Sequence, residues 1–291
     1  MSTMIHSMTG YAAANRDLGS AVLSLELKSV NSRYLDIGFR LGEELRAFEM
    51  PLREKIAERL GRGKIECRGY LQAQAGNGRE RTTNPVLIAE LGRLDAAVRL
   101  ALPQSAPLSV AEVLRWPGVL SDDSLSAEQL QVAVAELFAG LLGEFVASRE
   151  REGEKLANVL RERVSLMRAH VTDVTPLLPV ALAAYRERLA TKLREAVANL
   201  DEERIRQEVG VFAAKIDVAE EIARLVTHLD EVERVLKKGG AVGKRLDFLM
   251  QELNREANTL ASKSVSTEVT AIALELKLLI EQMREQVQNL E

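Results

Sequence analysis

Alternating hydrophobic and polar positions dominate residues 4–74 and predict β-strands. In the stretch AVLSLELKSV, residues 21–30, Leu23, Leu25 and Leu27 alternate with polar or charged residues, as in a strand with one buried face. Similar stretches predict strands at 4–16, 34–41 and 64–74. A stripe of apolar residues at helical spacing predicts one helix over 43–60. This pattern predicts a small mixed α/β domain over residues 1–82.

From Pro85 onward the spacing of hydrophobic residues is that of helices. Helices are predicted over 108–120, 127–146 and 208–236, and two long helices beyond Ser148 are expected to meet at a bend around Pro176 and Pro179. The stretch GKRLDFLMQELNREANTLASKS, residues 243–264, is another helix, and a last helix carries a near-heptad apolar seam. The predicted fold is therefore α+β, with a helical middle region over 83–206 and a C-terminal helical domain over 207–291 that ends in a helical hairpin.

Composition favours a soluble protein. The 291 residues are 46% hydrophobic and 28% charged, enough for one large or two ordinary cores. Neither a run of 18 apolar residues nor a secretory signal pattern is present, so we expect no membrane partner and a cytoplasmic location. The net charge is −4, but residues 1–82 hold 13 Lys and Arg against 10 Asp and Glu, whereas residues 207–291 hold 11 against 15. Such an asymmetry permits a polyanion on one surface and a bound cation on another.

A carboxylate constellation is the main candidate for chemistry. One cysteine and three histidines exclude a closed Cys/His zinc site, so a metal would be held mainly by carboxylates, which suit Mn²⁺ or Mg²⁺. Glu252 and Glu256 lie four apart on one helix, and Glu221 and His228 share a face of the preceding helix. If the two faces converge, these four residues are metal ligands, with Asp217 as a fifth candidate. The alternative is that these faces are solvated.

Basic residues form a second set of candidates. Lys28, Asn31 and Arg33 cluster between two predicted strands, and Arg62 and Lys64 form a basic turn; both groups suit contact with a phosphodiester backbone. Beside the carboxylates, Asn254, Arg255 and Lys263 are candidates to hold phosphates. The alternative is that Asn31 makes a turn and the basic side chains are solvated.

Several motifs together resemble a known family. SMTGYA, LELKSVNSRYLDIGFRL, RGKIECRGYL, REREGEKL and GKRLDFLMQELNREANTLASKS occur in this order, and they closely resemble the bacterial YicC-like endoribonucleases from about residue 4 to residue 291. The departures are Lys28, where arginine is common in the family, and Ser32, where histidine is expected.

The resemblance implies a cytoplasmic endoribonuclease that depends on a divalent metal and forms a ring-like homohexamer around RNA. It implies metal ligation by Glu221, His228, Glu252 and Glu256, with His228, Glu252 and Glu256 also catalytic. The residues implied in RNA contact are Lys28, Asn31, Arg33, Arg62, Lys64, Lys244, Arg245, Arg255 and Lys263. Other RNA-decay enzymes are candidate partners.

Three functions stay open at this point. In the first, the protein cleaves RNA, either through metal-activated water or through the 2′-OH with His228 as the base. In the second, it is a non-catalytic adaptor that presents small RNAs to another nuclease. In the third, it is a structural ring whose polar helix faces form ion pairs between subunits.

Overall fold

A computed structural model describes residues 4–73, 82–121, 126–196 and 201–291. The strands are β1 (Gly10–Asp17), β2 (Ala21–Val30), β3 (Leu35–Leu41), β4 (Gly63–Ala73), β5 (Thr82–Thr83) and β6 (Leu120–Ser121). The α-helices are α1 (Glu49–Arg59), α2 (Pro85–Ala101), α3 (Val110–Arg115), α4 (Ala127–Val174), α5 (Leu177–Ala196), α6 (Glu202–Lys215), α7 (Ala219–Lys238), α8 (Gly243–Lys263) and α9 (Thr267–Val287). A 3₁₀ helix over Glu43–Phe48 precedes α1. This is the α+β fold that the sequence predicts.

The N-terminal half is built on a four-stranded sheet of order β1-β2-β4-β3. β2 pairs antiparallel with both β1 and β4, whereas β3 runs parallel to β4, with Ile37 opposite Ile65. Because side chains alternate between the two faces of a strand, Leu23, Leu25 and Leu27 all point into one core, where they are buried against α1 and α4.

Helix α4 joins the two cores of the protein. Its 48 residues make a helix about 72 Å long. Phe138 and Phe145 are buried on the sheet, while Leu160 and Met167, further along, are buried among α7, α8 and α9. The predicted break between Val146 and Ser148 was wrong: that stretch holds no proline, so the backbone hydrogen bonds continue. The predicted bend does follow, since α4 ends at Val174 and α5 begins at Leu177.

The C-terminal half is a bundle of α7, α8 and α9 against α4. The single helix predicted over 208–236 was also wrong, because α6 ends at Lys215 and α7 begins at Ala219. At the break, the Asp217 carboxylate accepts a hydrogen bond from Ala219 N at 2.9 Å. From the position before the N-cap residue Val218, Asp217 thus satisfies the first free N–H of α7, which favours a new helix over continuation of the old one.

A buried arginine on α4 forms hydrogen bonds to two segments that are distant in sequence, one near each end of the chain. Arg149 of α4 is fully buried; its Nε donates to Ser7 O at 2.6 Å and its Nη2 to Glu291 Oε2 at 2.6 Å. Ser7 N donates in return to Arg149 O at 2.9 Å. Burial lowers the pKa of Arg149, and the contact with Glu291 opposes that effect. The segment around Ser7 is thereby placed between the two cores.

Among the described residues, one helix, α4, is long and apolar enough to cross a membrane by length and composition. This is weak evidence for a span, because Phe138, Leu141 and Phe145 on that helix are buried against the sheet. Such packing favours a soluble protein. The cytoplasmic location and the domain boundaries at 82 and 206 stay predictions.

Candidate active site

The candidate site lies between α7 and α8, which are joined by a short link at Gly239–Val242. Both helices are strongly amphipathic: α7 buries Leu225 and Leu229, and α8 buries Leu249 and Leu253. These apolar stripes pack against each other in the bundle. The polar residues beside each stripe are therefore turned toward the same edge of the helix pair.

At this edge one imidazole and two carboxylates meet. His228 of α7 and Glu252 and Glu256 of α8 each offer one ligand atom, and these atoms lie within 4.8 Å of one another. Glu256 is buried, with 3% of its surface exposed, and the other two are half-buried. Two ligands of a cation bound at about 2.1 Å lie roughly 3–4 Å apart, so small side-chain adjustments suffice to close this group around one ion.

Arg224 lies one turn before His228 and neutralises part of this negative charge. Its Nη1 donates to Glu256 Oε1 at 3.5 Å, and its Nη2 donates to Glu220 Oε1 at 2.5 Å. The two carboxylates raise the pKa of Arg224. Arg224 thus contacts one oxygen of Glu256. No role was predicted for Arg224, although its i, i+4 spacing to His228 indicates the same helix face.

Two of the predicted ligands have other partners. Glu221 is buried, and its Oε1 accepts a hydrogen bond from Lys263 Nζ at 2.8 Å. Its Oε2 is buried, with no hydrogen-bond partner in the described chain. The Asp217 carboxylate accepts the hydrogen bond from Ala219 N. Among the described residues, the group of possible ligands is therefore His228, Glu252 and Glu256.

The basic residues of the N-terminal half lie at one end of the sheet, where the central strands β2 and β4 pair Val30 with Lys64. Lys28 and Lys64 are exposed on β2 and β4. Asn31 Nδ2 donates to Gln288 O at 2.7 Å, and Arg62 Nε donates to Arg33 O at 3.2 Å. The contact with Gln288 brings this cluster to the end of α9, next to the beginning of α8.

The start of α8 is fixed at the same place. A Cβ on Gly243 would lie 2.3 Å from Leu290 O, so the helix begins in tight contact with the segment that Asn31 also binds. Glu252 follows nine residues later, about 14 Å along the helix. The sequence alone does not show that α8 connects the basic turn at its start to the carboxylates about 14 Å further along.

The basic residues of α8 itself point in different directions. Arg245 Nη2 donates to Glu231 Oε1 at 3.2 Å, and its guanidinium lies 5.4 Å from the centre of the Phe248 ring. Lys244 is exposed. Arg255 is also exposed and lies on the side of α8 that faces α9.

The chain is similar in sequence to proteins described as endoribonucleases. A family model described as Endoribonuclease YicC-like, N-terminal region matches residues 5–158, and one described as Endoribonuclease YicC-like, C-terminal matches residues 174–291. A protein of Haemophilus influenzae named Probable endoribonuclease YicC is 43% identical over 290 residues, covering 99% of this chain and 100% of that protein. A protein of Clostridioides difficile with the same name is 27% identical over 299 residues, with 99% and 100% covered.

Proposed function

The chain belongs to the YicC-like endoribonuclease family, and from this premise we propose that it hydrolyses RNA phosphodiester bonds with a divalent cation, Mn²⁺ or Mg²⁺, held by His228, Glu252 and Glu256. The observation that carries the proposal is the convergence of these three side chains from two helices onto one point. The alternative, a non-catalytic adaptor, has no use for such a convergence.

The donor set fits the proposed ion. Two carboxylate oxygens and one imidazole nitrogen suit Mn²⁺, and the carboxylates suit Mg²⁺ as well. A divalent cation supplies Lewis acidity at the phosphate and a more acidic bound water.

The chain's own residues have separate tasks in the reaction. Arg224 holds Glu256 in place by the contact at 3.5 Å. His228 is half-buried; it either holds the cation or acts as the acid or base at the phosphate. The exposed Lys28, Lys64 and Lys244 offer charges for the RNA backbone.

Two chemical routes give different products. If water attacks phosphorus, one new end carries a phosphate and the other a hydroxyl. If the 2′-OH attacks, His228 accepts its proton, the bond from phosphorus to the 5′ oxygen breaks, and the products carry a 2′,3′-cyclic phosphate and a 5′-OH. Mass spectrometry of the product ends distinguishes the two routes.

Assembly into a ring is part of the proposal, and exposed apolar surface supports it. Helices α2 and α3 bury only Leu91 among their described residues. They expose large apolar side chains at Val86, Leu94, Val98, Leu100, Val110, Leu114 and the adjacent Trp116. Large apolar side chains exposed in this number favour a protein contact. A second copy of this chain is the partner that a homo-oligomer supplies, with a ring-like hexamer as the expected form.

The test is RNA cleavage by purified wild-type protein and by Glu252→Gln/Glu256→Gln protein, each with Mn²⁺, Mg²⁺ or EDTA. RNA affinity and molecular mass in solution are measured on the same preparations. The matched control is Glu54→Gln/Glu58→Gln, because these two glutamates are exposed and also four apart on a helix, α1. We expect metal-dependent cleavage by wild-type and control proteins, and unchanged RNA binding without cleavage by the site variant.

Each other outcome favours a different function. Binding without cleavage by the wild-type protein supports the adaptor, and equal cleavage by all three proteins indicates a contaminating nuclease. If the site variant has a lower molecular mass in solution than the wild type, its oligomer has dissociated. That result supports the structural ring, in which these carboxylates join subunits.

A further inference from the structure

A groove between α8 and α9 lies beside the candidate active site. It encloses about 430 Å³, within the range of about 300–1,000 Å³ that is usual for small-ligand sites. Its polar lining consists of Gln251, Asn254, Arg255, Asn258, Thr259 and Arg284. All but Arg284 come from successive turns of α8, so one rigid helix sets their spacing.

The groove is positively charged in a protein whose net charge is −4. Two guanidinium groups line it and no carboxylate does. Arg255 makes no ion pair with any described residue, and the carboxylate nearest to Arg284, that of Glu281, is 3.8 Å away. Arg284 Nε is buried and has no hydrogen-bond partner in the described chain. An anion with acceptor oxygens would satisfy both arginines.

The amides in the groove leave one donor and one acceptor free side by side. Asn258 Nδ2 donates to Asn254 Oδ1 at 3.1 Å, which leaves Asn254 Nδ2 and Asn258 Oδ1 without a partner. Gln251 Nε2 donates to Asp247 Oδ2 at 3.0 Å, so its Oε1 is free as a second acceptor. A donor beside an acceptor is the pattern that recognises the N7 and N6 edge of adenine.

Met250 borders the groove but is completely buried, so the surface open to a ligand is that of the polar side chains. The groove thus combines hydrogen-bonding groups for the edge of a base with cations for a phosphate.

We propose that this groove binds one nucleotide of the RNA next to the bond that is cleaved, with Asn254 and Asn258 contacting the base and Arg255 and Arg284 contacting phosphate. The inference rests on the proposed function, because the ligand belongs to the RNA substrate. On the surface of α8, Thr259 lies between the groove and the face that carries Glu252 and Glu256. A strand bound at that face therefore passes the groove directly.

Two groove variants test the two kinds of contact. Asn254→Ala/Asn258→Ala removes the base contacts, and Arg255→Gln/Arg284→Gln removes the phosphate contacts. The controls are Gln207→Ala and Arg186→Gln, since both residues are exposed on other helices, α6 and α5. All variants are made in the full-length chain, both as wild type and with Glu252→Gln/Glu256→Gln, so that binding is measured without cleavage.

Fluorescence anisotropy with short labelled single-stranded RNAs gives the affinity. We expect the arginine variant to bind every sequence more weakly and to lower the slope of log K against log salt by about 1.4, the value for two phosphate contacts on a single strand. We expect the asparagine variant to lose about fivefold or more in its preference for RNAs with adenine at one position. Cleavage sites mapped on a random RNA pool should lose the same preference.

The failure of this inference differs from the failure of the proposed function. If the wild-type protein cleaves RNA and both groove variants bind and cleave like the controls, the groove is not a nucleotide site and the function stands. If the wild-type protein binds RNA without cleaving it, the proposed cleavage function is wrong. The binding assay then still shows whether the groove is a nucleotide site. A groove variant that changes only the molecular mass in solution makes the groove a contact between copies and overturns the inference.

Discussion

Replacement of Gly153 by alanine tests how the segment around Ile5 is held against α4. Gly153 is buried in the middle of that helix, and a Cβ built on it would lie 2.1 Å from Ile5 O and 2.7 Å from Ile5 C. Both are backbone atoms, so no side-chain rotation relieves the clash. The segment has to move by more than about 1 Å to reach an ordinary van der Waals separation.

That movement acts directly on the contacts of Arg149. Overpacking of this kind costs about 1–3 kcal/mol. The hydrogen bond from Ser7 N to Arg149 O is 2.9 Å long and that from Arg149 Nε to Ser7 O is 2.6 Å; their loss adds roughly 1 kcal/mol for the neutral bond and about 1.5–3 kcal/mol for the charged one. The higher helix propensity of alanine returns about 1 kcal/mol. We expect Gly153→Ala to lower the free energy of unfolding by about 2.5–6 kcal/mol.

The assay is urea unfolding followed by circular dichroism, with Gly143→Ala as the matched control. Gly143 lies on the same helix, is exposed, and has nothing within 4 Å of a built Cβ. The same chemical change should therefore stabilise the protein there, by up to about 1 kcal/mol. A Gly153→Ala protein as stable as the wild type would refute the tight contact between α4 and Ile5.

Two further predictions concern charged pairs. Lys263→Met leaves the buried Glu221 carboxylate without its partner at 2.8 Å. We expect a loss of about 2–4 kcal/mol in unfolding free energy, less than for a fully buried pair because Lys263 is partly exposed. Adding Glu221→Gln should restore most of the lost stability, and no recovery in the double variant would contradict the pairing. Hydrogen bonding to Arg234 is the largest cause that lowers the pKa of Glu231 from 4.5 to about 2. A lowered folded-state pKa contributes stability above pH 4.5 that is lost as the pH falls toward 2, so the difference in melting temperature between wild type and Glu231→Gln should shrink over this interval; a constant difference would contradict it.

The sheet could be predicted closely because its signals are local. The bounds of β2 agree with its alternating pattern, since Leu23, Leu25 and Leu27 all have to face one core. The helices α4 and α7 were less predictable. The interruption expected after Val146 does not occur, and α6 ends at Lys215 although the apolar spacing continues into α7. At the break before α7, Ala219 N bonds to Asp217, a single side-chain contact that hydrophobic spacing does not show.

The candidate site, too, could be predicted only in part from the sequence. The spacing of Glu252 and Glu256 indicates a common face, and the short link before α8 places His228 opposite them. Spacing alone did not separate Glu221 from this group, because the separation depends on Lys263, which is 42 residues away in sequence. Arg284 could not be associated with Asn254 and Asn258 at all, since only the packing of α9 on α8 brings them to one groove.

Helix α8 explains why the stretch 243–264 carries such a specialised set of polar residues. One of its faces is buried through Leu246, Leu249 and Leu253, and this fixes the rotation of the helix in the bundle. A second face then necessarily meets α7, and a third borders α9. Because both proposed contacts with RNA, at Glu252 and at Asn254, belong to one packed helix rather than to loops, the number of nucleotides between them is set by the helix. A preference read in the groove should therefore occur at one constant distance from the cleaved bond.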